Sequence, residues 1–255
     1  MLAFWPEVIR SLFDALNPGV IVEVGSEHGK TLERVLGWAH DHDAIVHSVD
    51  PAPRYDVEAW KAKHLQLRVH ELPSLVALSA IGAMDAVLID GDHNYFTVHA
   101  ELELIETRHR QLDAPLPIIL LHDVGWPYGR RDLYYDPKRI PAEHRHPFAQ
   151  GGVHPTEKGL VPHGINGHLW HARDEGGAKN GVLTAVEDYL KTTSESYLFA
   201  KVPAVYGLGI LLPETRAQLA PEAHRLVDTW ATVEVERFIE RLEMARIAMM
   251  TGARG

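Results

Sequence analysis

Residues Val20 to Thr31 read VIVEVGSEHGKT. Apart from Glu23, Val20–Val24 is a continuous apolar run too short for a buried helix. Asn17-Pro18-Gly19 bounds it on one side and Gly25 and Gly29 on the other. That is the pattern of a buried strand entering a glycine turn. From Lys30 the apolar residues Leu32, Val35 and Leu36 return at helical spacing. A strand–glycine turn–helix junction aims backbone N–H groups and a helix N-terminus at a ligand, often a nucleotide.

Outward from this junction, strands and helices alternate. Val8, Ile9, Leu12, Phe13 and Leu16 predict a helix over 7–16. Strands are expected at Ala44–Val49, Leu65–Val69, Ala86–Ile89 and Ile118–Leu121, with a helix over Tyr95–Arg108. Alternation of this kind means parallel βαβ units, a sheet covered on both faces, and ligands beyond the carboxyl ends of the strands. Those ends carry Glu23/Gly25, Asp50, Asp90 and His122-Asp123. After a helix over Asn180–Leu190, strands are expected at Tyr197–Val202 and Tyr206–Leu212. The short link between them fits an antiparallel pair, because a parallel crossover needs roughly a dozen residues or more. From Pro221 a long amphipathic helix runs toward Met250, packed on the domain or paired with a second copy as a homodimer contact. The stretch 124–179 is rich in Gly, Pro, His, Arg and Tyr and lacks periodicity. Its aromatic residues (Trp126, Tyr128, Tyr134, Tyr135, Phe148, Trp170) argue for an ordered lid rather than disorder. The expectation is one domain over 1–255, with an N-terminal helix in 1–17, this lid, and a C-terminal helical extension over 214–250.

Composition narrows the function. The 255 residues carry a formal net charge of −10, which disfavours nucleic acid or an anionic membrane as the main partner. There is no cysteine, hence no disulfide framework and no thiolate ligand or nucleophile. The first residues carry no basic segment of a secretory signal, and no apolar run approaches the length of a membrane span. These features predict a cytoplasmic protein.

Three cofactor classes compete for the first turn. A dinucleotide site needs a middle glycine that Gly25-Ser-Glu-His-Gly29 lacks. A phosphate-cradling P-loop needs one more residue between its glycines. S-adenosylmethionine carries a sulfonium, an ammonium and a carboxylate but no phosphate. It suits an acid at the strand end (Glu23) and glycines that let the chain approach the nucleoside. Asp50 either accepts hydrogen bonds from ribose hydroxyls or simply makes a turn with Pro51.

The pattern Glu23-Val-Gly25-Ser-Glu-His-Gly29, Asp50, five alternating strands and a final antiparallel pair resembles the class I S-adenosylmethionine-dependent methyltransferases over roughly residues 18–212. The resemblance implies an α/β, Rossmann-like, doubly wound, mostly parallel seven-stranded sheet with an antiparallel last strand. It also implies helices on both faces and a lid inserted after strand five. Cofactor contacts are then expected from Glu23, Gly25, Ser26, Gly29, Asp50 and Asp90.

VLIDGDHNYFTVHAELEL (Val87–Leu104) and LLHDVGWPYGRRDLYY (Leu120–Tyr135) are similar to metal-assisted small-molecule and sugar O-methyltransferases and to the cephalosporin-hydroxylase-like group. The resemblance implies a divalent metal at Asp90, His122 and Asp123. His-Asp stands where that family has two acids or an acid and an amide. Three oxygen ligands suit Mg²⁺, the first choice, whereas an imidazole favours Mn²⁺, Fe²⁺ or Zn²⁺. Alternatively His122 points away and Asp92 or water completes a Mg²⁺ shell. A metal would lower the pKa of a poorly nucleophilic sugar hydroxyl and fix its direction. The family's base position falls on His93, which either takes the proton, binds the metal or merely caps the helix after it. His144 and His146 of the lid are further candidates. Lid aromatics would stack on sugar faces, with Arg130 and Arg131 bonding hydroxyls. The lid-to-helix stretch also resembles enzymes of methylated-mannose polysaccharide synthesis. The expected activity is O-methylation of a sugar or small-glycoside hydroxyl. The alternatives are a non-haem iron hydroxylase using Asp90, His93 and His122, and a cofactor-binding partner protein without catalysis.

Overall fold

Val20–Val24 forms β1, the third strand from one edge of a seven-stranded sheet, in the computed structural model, which describes residues 1–252. Before it, a 3-10 turn (Leu2–Phe4) and a π turn (Trp5–Ile9) lead into α1 (Arg10–Leu16). Asn17 stops α1 in the left-handed conformation that Asn tolerates better than most residues. Then follow α2 (Lys30–Asp41), β2 (Ile45–Val49), α3 (Val57–Lys63), β3 (Leu67–His70), α4 (Ser74–Ala80), β4 (Ala86–Ile89), α5 (Tyr95–Gln111) and β5 (Ile118–His122). The lid holds five short strands: β6 (Leu133–Tyr134), β7 (Phe148–Gln150), β8 (Gly152–His154), β9 (Glu157–Val161) and β10 (Trp170–Ala172). The chain closes with α6 (Val182–Thr192), β11 (Tyr197–Val202), β12 (Leu208–Pro213), α7 (Glu214–Leu219), α8 (Pro221–Trp230) and α9 (Val233–Thr251).

The sheet order is β11-β12-β5-β4-β1-β2-β3. Strands β5, β4, β1, β2 and β3 are mutually parallel, while β12 runs antiparallel to β5 and β11 antiparallel to β12. This is the expected α/β, Rossmann-like, mostly parallel arrangement. The strand order reverses between β1 and β4, and beyond their carboxyl ends lies the crevice that such sheets offer a ligand. Alternate residues feed two cores. Ile21, Val46, Leu88 and Leu120 meet the N-terminal segment, α2 and α8, whereas Val22, Val24, Val87 and Ile119 meet α4, α5 and α6. Helices thus cover both faces. No helix among the described residues is long and apolar enough to cross a membrane.

Several boundaries differ from expectation. Tyr206 is not in a strand: it sits at φ 68° in the β11–β12 turn, and β12 starts at Leu208. The third strand is displaced to Leu67–His70. The single helix expected from Pro221 is two, because Ala231 and Thr232 interrupt it and Thr232 takes an extended conformation before α9. On α9, Phe238, Leu242 and Met249 remain exposed, the surface a homodimer contact would use.

The lid is anchored by buried polar side chains rather than by periodic apolar ones. Asp132 is fully buried and accepts hydrogen bonds from Tyr95 N (2.7 Å), Gly181 N (2.7 Å) and Tyr134 Oη (2.8 Å), so it joins the starts of α5 and α6 to the lid. Arg131 is also buried and donates to the carbonyls of Ala172 and Arg173 (2.6 and 2.9 Å). Arg130 forms a bidentate pair with Glu187 of α6 (2.7 and 2.6 Å). Both arginines therefore hold the lid together, contrary to the expectation that they face an acceptor. Asp132→Ala strands two backbone donors in the interior at about 1–3 kcal/mol each. A loss of about 3 kcal/mol is expected, read by calorimetry as a melting temperature lower by roughly 10 °C. An unchanged melting temperature would remove Asp132 as the anchor.

Candidate functional site

Parallel pairing of β4 with β5 in the register Ile89↔Leu121 sets the next residues, Asp90 and His122, side by side beyond the sheet edge. His122 Nδ1 lies 2.9 Å from Asp90 Oδ1 and 3.1 Å from Asp123 Oδ1. Its other nitrogen, Nε2, is 3.1 Å from the Val205 carbonyl, which can only accept, so Nε2 carries the proton. Asp123 holds its carboxylate there from a left-handed backbone, φ 65°, uncommon for a non-glycine residue and concentrated at functional sites. The same carboxylate reaches a second imidazole: His93 Nδ1 is 3.1 Å from Asp123 Oδ2. His93 and Asp123 are both buried. Aromatic rings close around His93, with the Tyr128 ring stacked at 6.3 Å and the Tyr135 ring edge-on at 5.8 Å. The Met1 amino group lies 3.1 Å from Asp90 Oδ2.

The electrostatics follow from burying two carboxylates against one imidazole. Burial alone would raise the Asp90 pKa, but the His122 charge and hydrogen bond outweigh it and hold Asp90 well below the carboxylate range. Burial works against charge on His122 as well, yet Asp90 and Asp123 prevail and raise its pKa. The cluster therefore demands a positive charge between its acids.

The residue types, two carboxylates and an imidazole, suit a divalent cation. Asp123 Oδ1 is buried with no well-directed hydrogen-bond donor. A ligating histidine usually gives its other N–H to a carbonyl or carboxylate, as His122 does to Val205. No three His, Asp or Glu side chains among the described residues are grouped around a common point as a formed metal shell would be. Here the His122 ring itself lies against both acids.

The turn after β1 stands beside this cluster. Gly25 has φ +86°, and a Cβ there would fall 2.2 Å from the Asp90 carbonyl oxygen. Gly29 has φ +74° and caps α2, with the Trp60 ring where a Cβ would point. Glu23 is buried with Oε2 unpartnered. Burial first, then the charges of Asp90 and Asp50, raise its pKa to about 8 even against the neighbouring amino group, so it would gain from a cationic ligand group. Ser26 is buried 3.3 Å from Tyr55 Oη, which in turn reaches Ser48 Oγ at 3.0 Å. Asp50 accepts from Glu27 N and Ala52 N, both at 2.8 Å, and so braces the β1–α2 loop; each oxygen keeps a free lone pair.

The structure thus unites Asp90, His93, His122 and Asp123 at one edge, with Glu23, Gly25, Ser26, Gly29 and Asp50 along it. It does not bring in the lid histidines. His144 is exposed and stacks on Phe96 at 4.4 Å, and His146 gives its Nε2 to the Lys179 carbonyl at 2.7 Å. Sequence reading missed Val205, whose carbonyl fixes the His122 tautomer; a backbone acceptor leaves no mark on residue type.

No family model matches the chain, and no curated protein is significantly similar to it. Among solved structures it is similar to the S-adenosylhomocysteine-bound methyltransferase PaMTH1 of Podospora anserina, with 16% identity, coverage of 79% of this chain and 75% of that one, and a TM-score of 0.49. It is also similar to the 1,6-didemethyltoxoflavin-N1-methyltransferase of Burkholderia thailandensis, with 12% identity, coverage of 82% and 79%, and a TM-score of 0.43. Human N-acetylserotonin methyltransferase, in complex with SAM, shares 15% identity over 82% of this chain and 52% of its own, with a TM-score of 0.42.

Proposed function

We propose that the protein is an S-adenosylmethionine-dependent O-methyltransferase that uses His93 as its general base and methylates a hydroxyl of a sugar or small glycoside. The observation that carries the reading is the contact of two constellations across the β1–β4 switch point. The glycine turn with the orphaned Glu23 carboxyl lies against Asp90, and Asp90 lies against the His122–Asp123–His93 cluster. Glu23 would take the ammonium end of the cofactor, the Gly25–Gly29 loop would lie along its nucleoside, and Asp50 would accept from its ribose. The cofactor supplies an electrophilic methyl group; attack on it needs a deprotonated hydroxyl aligned in line.

That deprotonation falls to His93. Asp123 Oδ2 faces its Nδ1, which selects the tautomer with Nδ1 protonated and leaves Nε2 free to accept the acceptor's proton. The imidazolium so formed stays beside the Asp123 carboxylate. The buried Tyr128 ring and the exposed Tyr135 ring border the imidazole. A divalent metal, Mg²⁺ first and Mn²⁺ or Fe²⁺ next, would be held by Asp90, Asp123 Oδ1 and His122 Nδ1, and would acidify the bound hydroxyl. Tyr128 and Tyr134 are buried in the lid, but Tyr135 exposes its ring beside His93 and supports a sugar acceptor, with a mannoside of a methylated polysaccharide as the finer form of the proposal.

Calorimetry with S-adenosylmethionine and S-adenosylhomocysteine tests the cofactor. Saturable binding of both is expected, and absence of either would end the methyl-transfer reading. Turnover of methylated-sugar precursors with and without a chelator then tests the metal: loss on chelation and recovery with Mg²⁺ or Mn²⁺ is expected. Because two imidazoles also border Asp123, oxygen uptake with Fe²⁺ and 2-oxoglutarate should be measured in parallel. Uptake without methyl transfer would favour the hydroxylase reading.

A further inference from the structure

The turn from β11 to β12 carries three successive residues with positive φ: Val205 (45°), Tyr206 (68°) and Gly207 (93°). Glycine adopts this region freely, but a β-branched valine and a tyrosine do so only when their surroundings hold them. On one side the turn serves the candidate site. The Val205 carbonyl accepts from His122 Nε2 at 3.1 Å, and the Tyr206 carbonyl accepts from Gly125 N at 2.6 Å, two residues beyond Asp123. On the other side it is held by the C-terminal helix. Tyr206 N donates to Glu243 Oε1 at 3.1 Å. Glu243 is one of the few buried residues of α9. Arg246, one turn on, fixes its carboxylate with Nε on Oε2 and a terminal nitrogen on Oε1, each at 2.7 Å, and spreads its guanidinium 5.5 Å from the Tyr206 ring.

These contacts form one chain of support: α9, the Glu243 carboxylate, the strained turn, the Val205 carbonyl, His122. We propose that Glu243 is a positioning residue, holding the Val205–Tyr206 turn so that its carbonyl fixes the tautomer and orientation of His122 and keeps Nδ1 facing Asp90 and Asp123. A C-terminal helix that otherwise covers only the outer core thereby sets the geometry of the cluster from the far side of the hairpin. The proposal rests on the functional reading above only in taking His122 as part of the site.

The test is made on the full chain, labelled with ¹⁵N-histidine. In the parent protein His122 should show a protonated, hydrogen-bonded Nε2. Glu243→Ala should move or broaden that resonance. It should also lower kcat about ten- to a hundredfold, as the loss of a partner that orients a site histidine does, with cofactor affinity unchanged. Glu243→Gln, whose side-chain carbonyl can still accept from Tyr206 N, should restore the resonance and most of kcat. Glu236→Ala removes the 2.8 Å contact with Lys201 and loosens α9 elsewhere, and should leave His122 where it was. If Glu243→Ala folds too poorly to measure, Arg246→Ala serves instead, with a smaller displacement in the same direction. A His122 resonance unmoved in the folded variant, or moved equally by Glu236→Ala, overturns the proposal. The resonance is read without turnover, so failure of the methyl-transfer reading would leave this result standing on its own.

Discussion

Asp123→Asn is expected to lower turnover by about a thousandfold while leaving the fold and cofactor affinity intact. General-base catalysis is worth about 10²–10⁴, and an Asp-to-Asn change behind a histidine base in the serine-protease triad removes about 10⁴ by stabilising the wrong tautomer. The same logic applies to Asp123 Oδ2 and His93 Nδ1, which are both buried and 3.1 Å apart. Asparagine is the suitable probe for two reasons. It is isosteric, and it tolerates the left-handed backbone that Asp123 adopts at φ 65°. Stability should therefore hold, and the lost rate reports charge rather than collapse. His93→Gln should cost a similar factor, and the double variant little more, because residues that act as a unit are not additive. Single-turnover kinetics with saturating cofactor would read the step directly. A fall of less than about tenfold in His93→Gln would mean that His93 does not take the acceptor's proton and would return it to a helix-entrance role, and a fall that small in Asp123→Asn would mean that Asp123 does not set its tautomer.

Much of this arrangement is legible in the residue order alone, and the reason is geometric. A parallel sheet places every strand's carboxyl end on one edge, so polar residues that terminate apolar runs share a location whatever the intervening chain does. Asp90 and His122 follow from that rule with no knowledge of side chains. What escapes is everything that depends on which atom meets which. His93 and His144 look alike in sequence; one is buried against Asp123, and the other stacks on Phe96 in the open. Arg130 and Arg131 suggest substrate contacts by composition, yet Glu187 and backbone carbonyls take their guanidinium groups. Helices α3 and α4 span seven residues each, too few turns for the helical period to stand out. The left-handed Val205 and Tyr206 contradict their own β preference, because the contacts to Glu243, His122 and Gly125 override it. The break before α9 has neither Gly nor Pro to announce it.

Gly25→Ala should abolish cofactor binding and destabilise the protein together, and the physical case is the close approach of two strand ends. A methyl group at position 25 would sit 2.2 Å from the Asp90 carbonyl oxygen, 2.5 Å from its carbon and 2.6 Å from Gly91 Cα. All three are backbone atoms, and none can swing aside as a side chain would. They are also pinned: Gly25 N bonds Val49 O and Asp90 N bonds Val24 O, both at 2.8 Å. The φ of +86° adds a penalty of roughly 1–2 kcal/mol for any L-residue with a Cβ. Relief requires β1 and β4 to part at their carboxyl ends, which separates Glu23 and the glycine turn from Asp90. A loss of roughly 2–4 kcal/mol is expected, in line with other overpacked sites, and S-adenosylhomocysteine should show no measurable heat of binding. Gly37→Ala supplies the contrast. Gly37 is exposed in the middle of α2, and a methyl group added there would meet nothing within 4 Å, so the change should stabilise by about 0.5–1 kcal/mol through helix propensity alone. Equal effects at the two glycines would show that the Gly25 turn is ordinary loop, and the cofactor site would have to be sought elsewhere on the sheet edge.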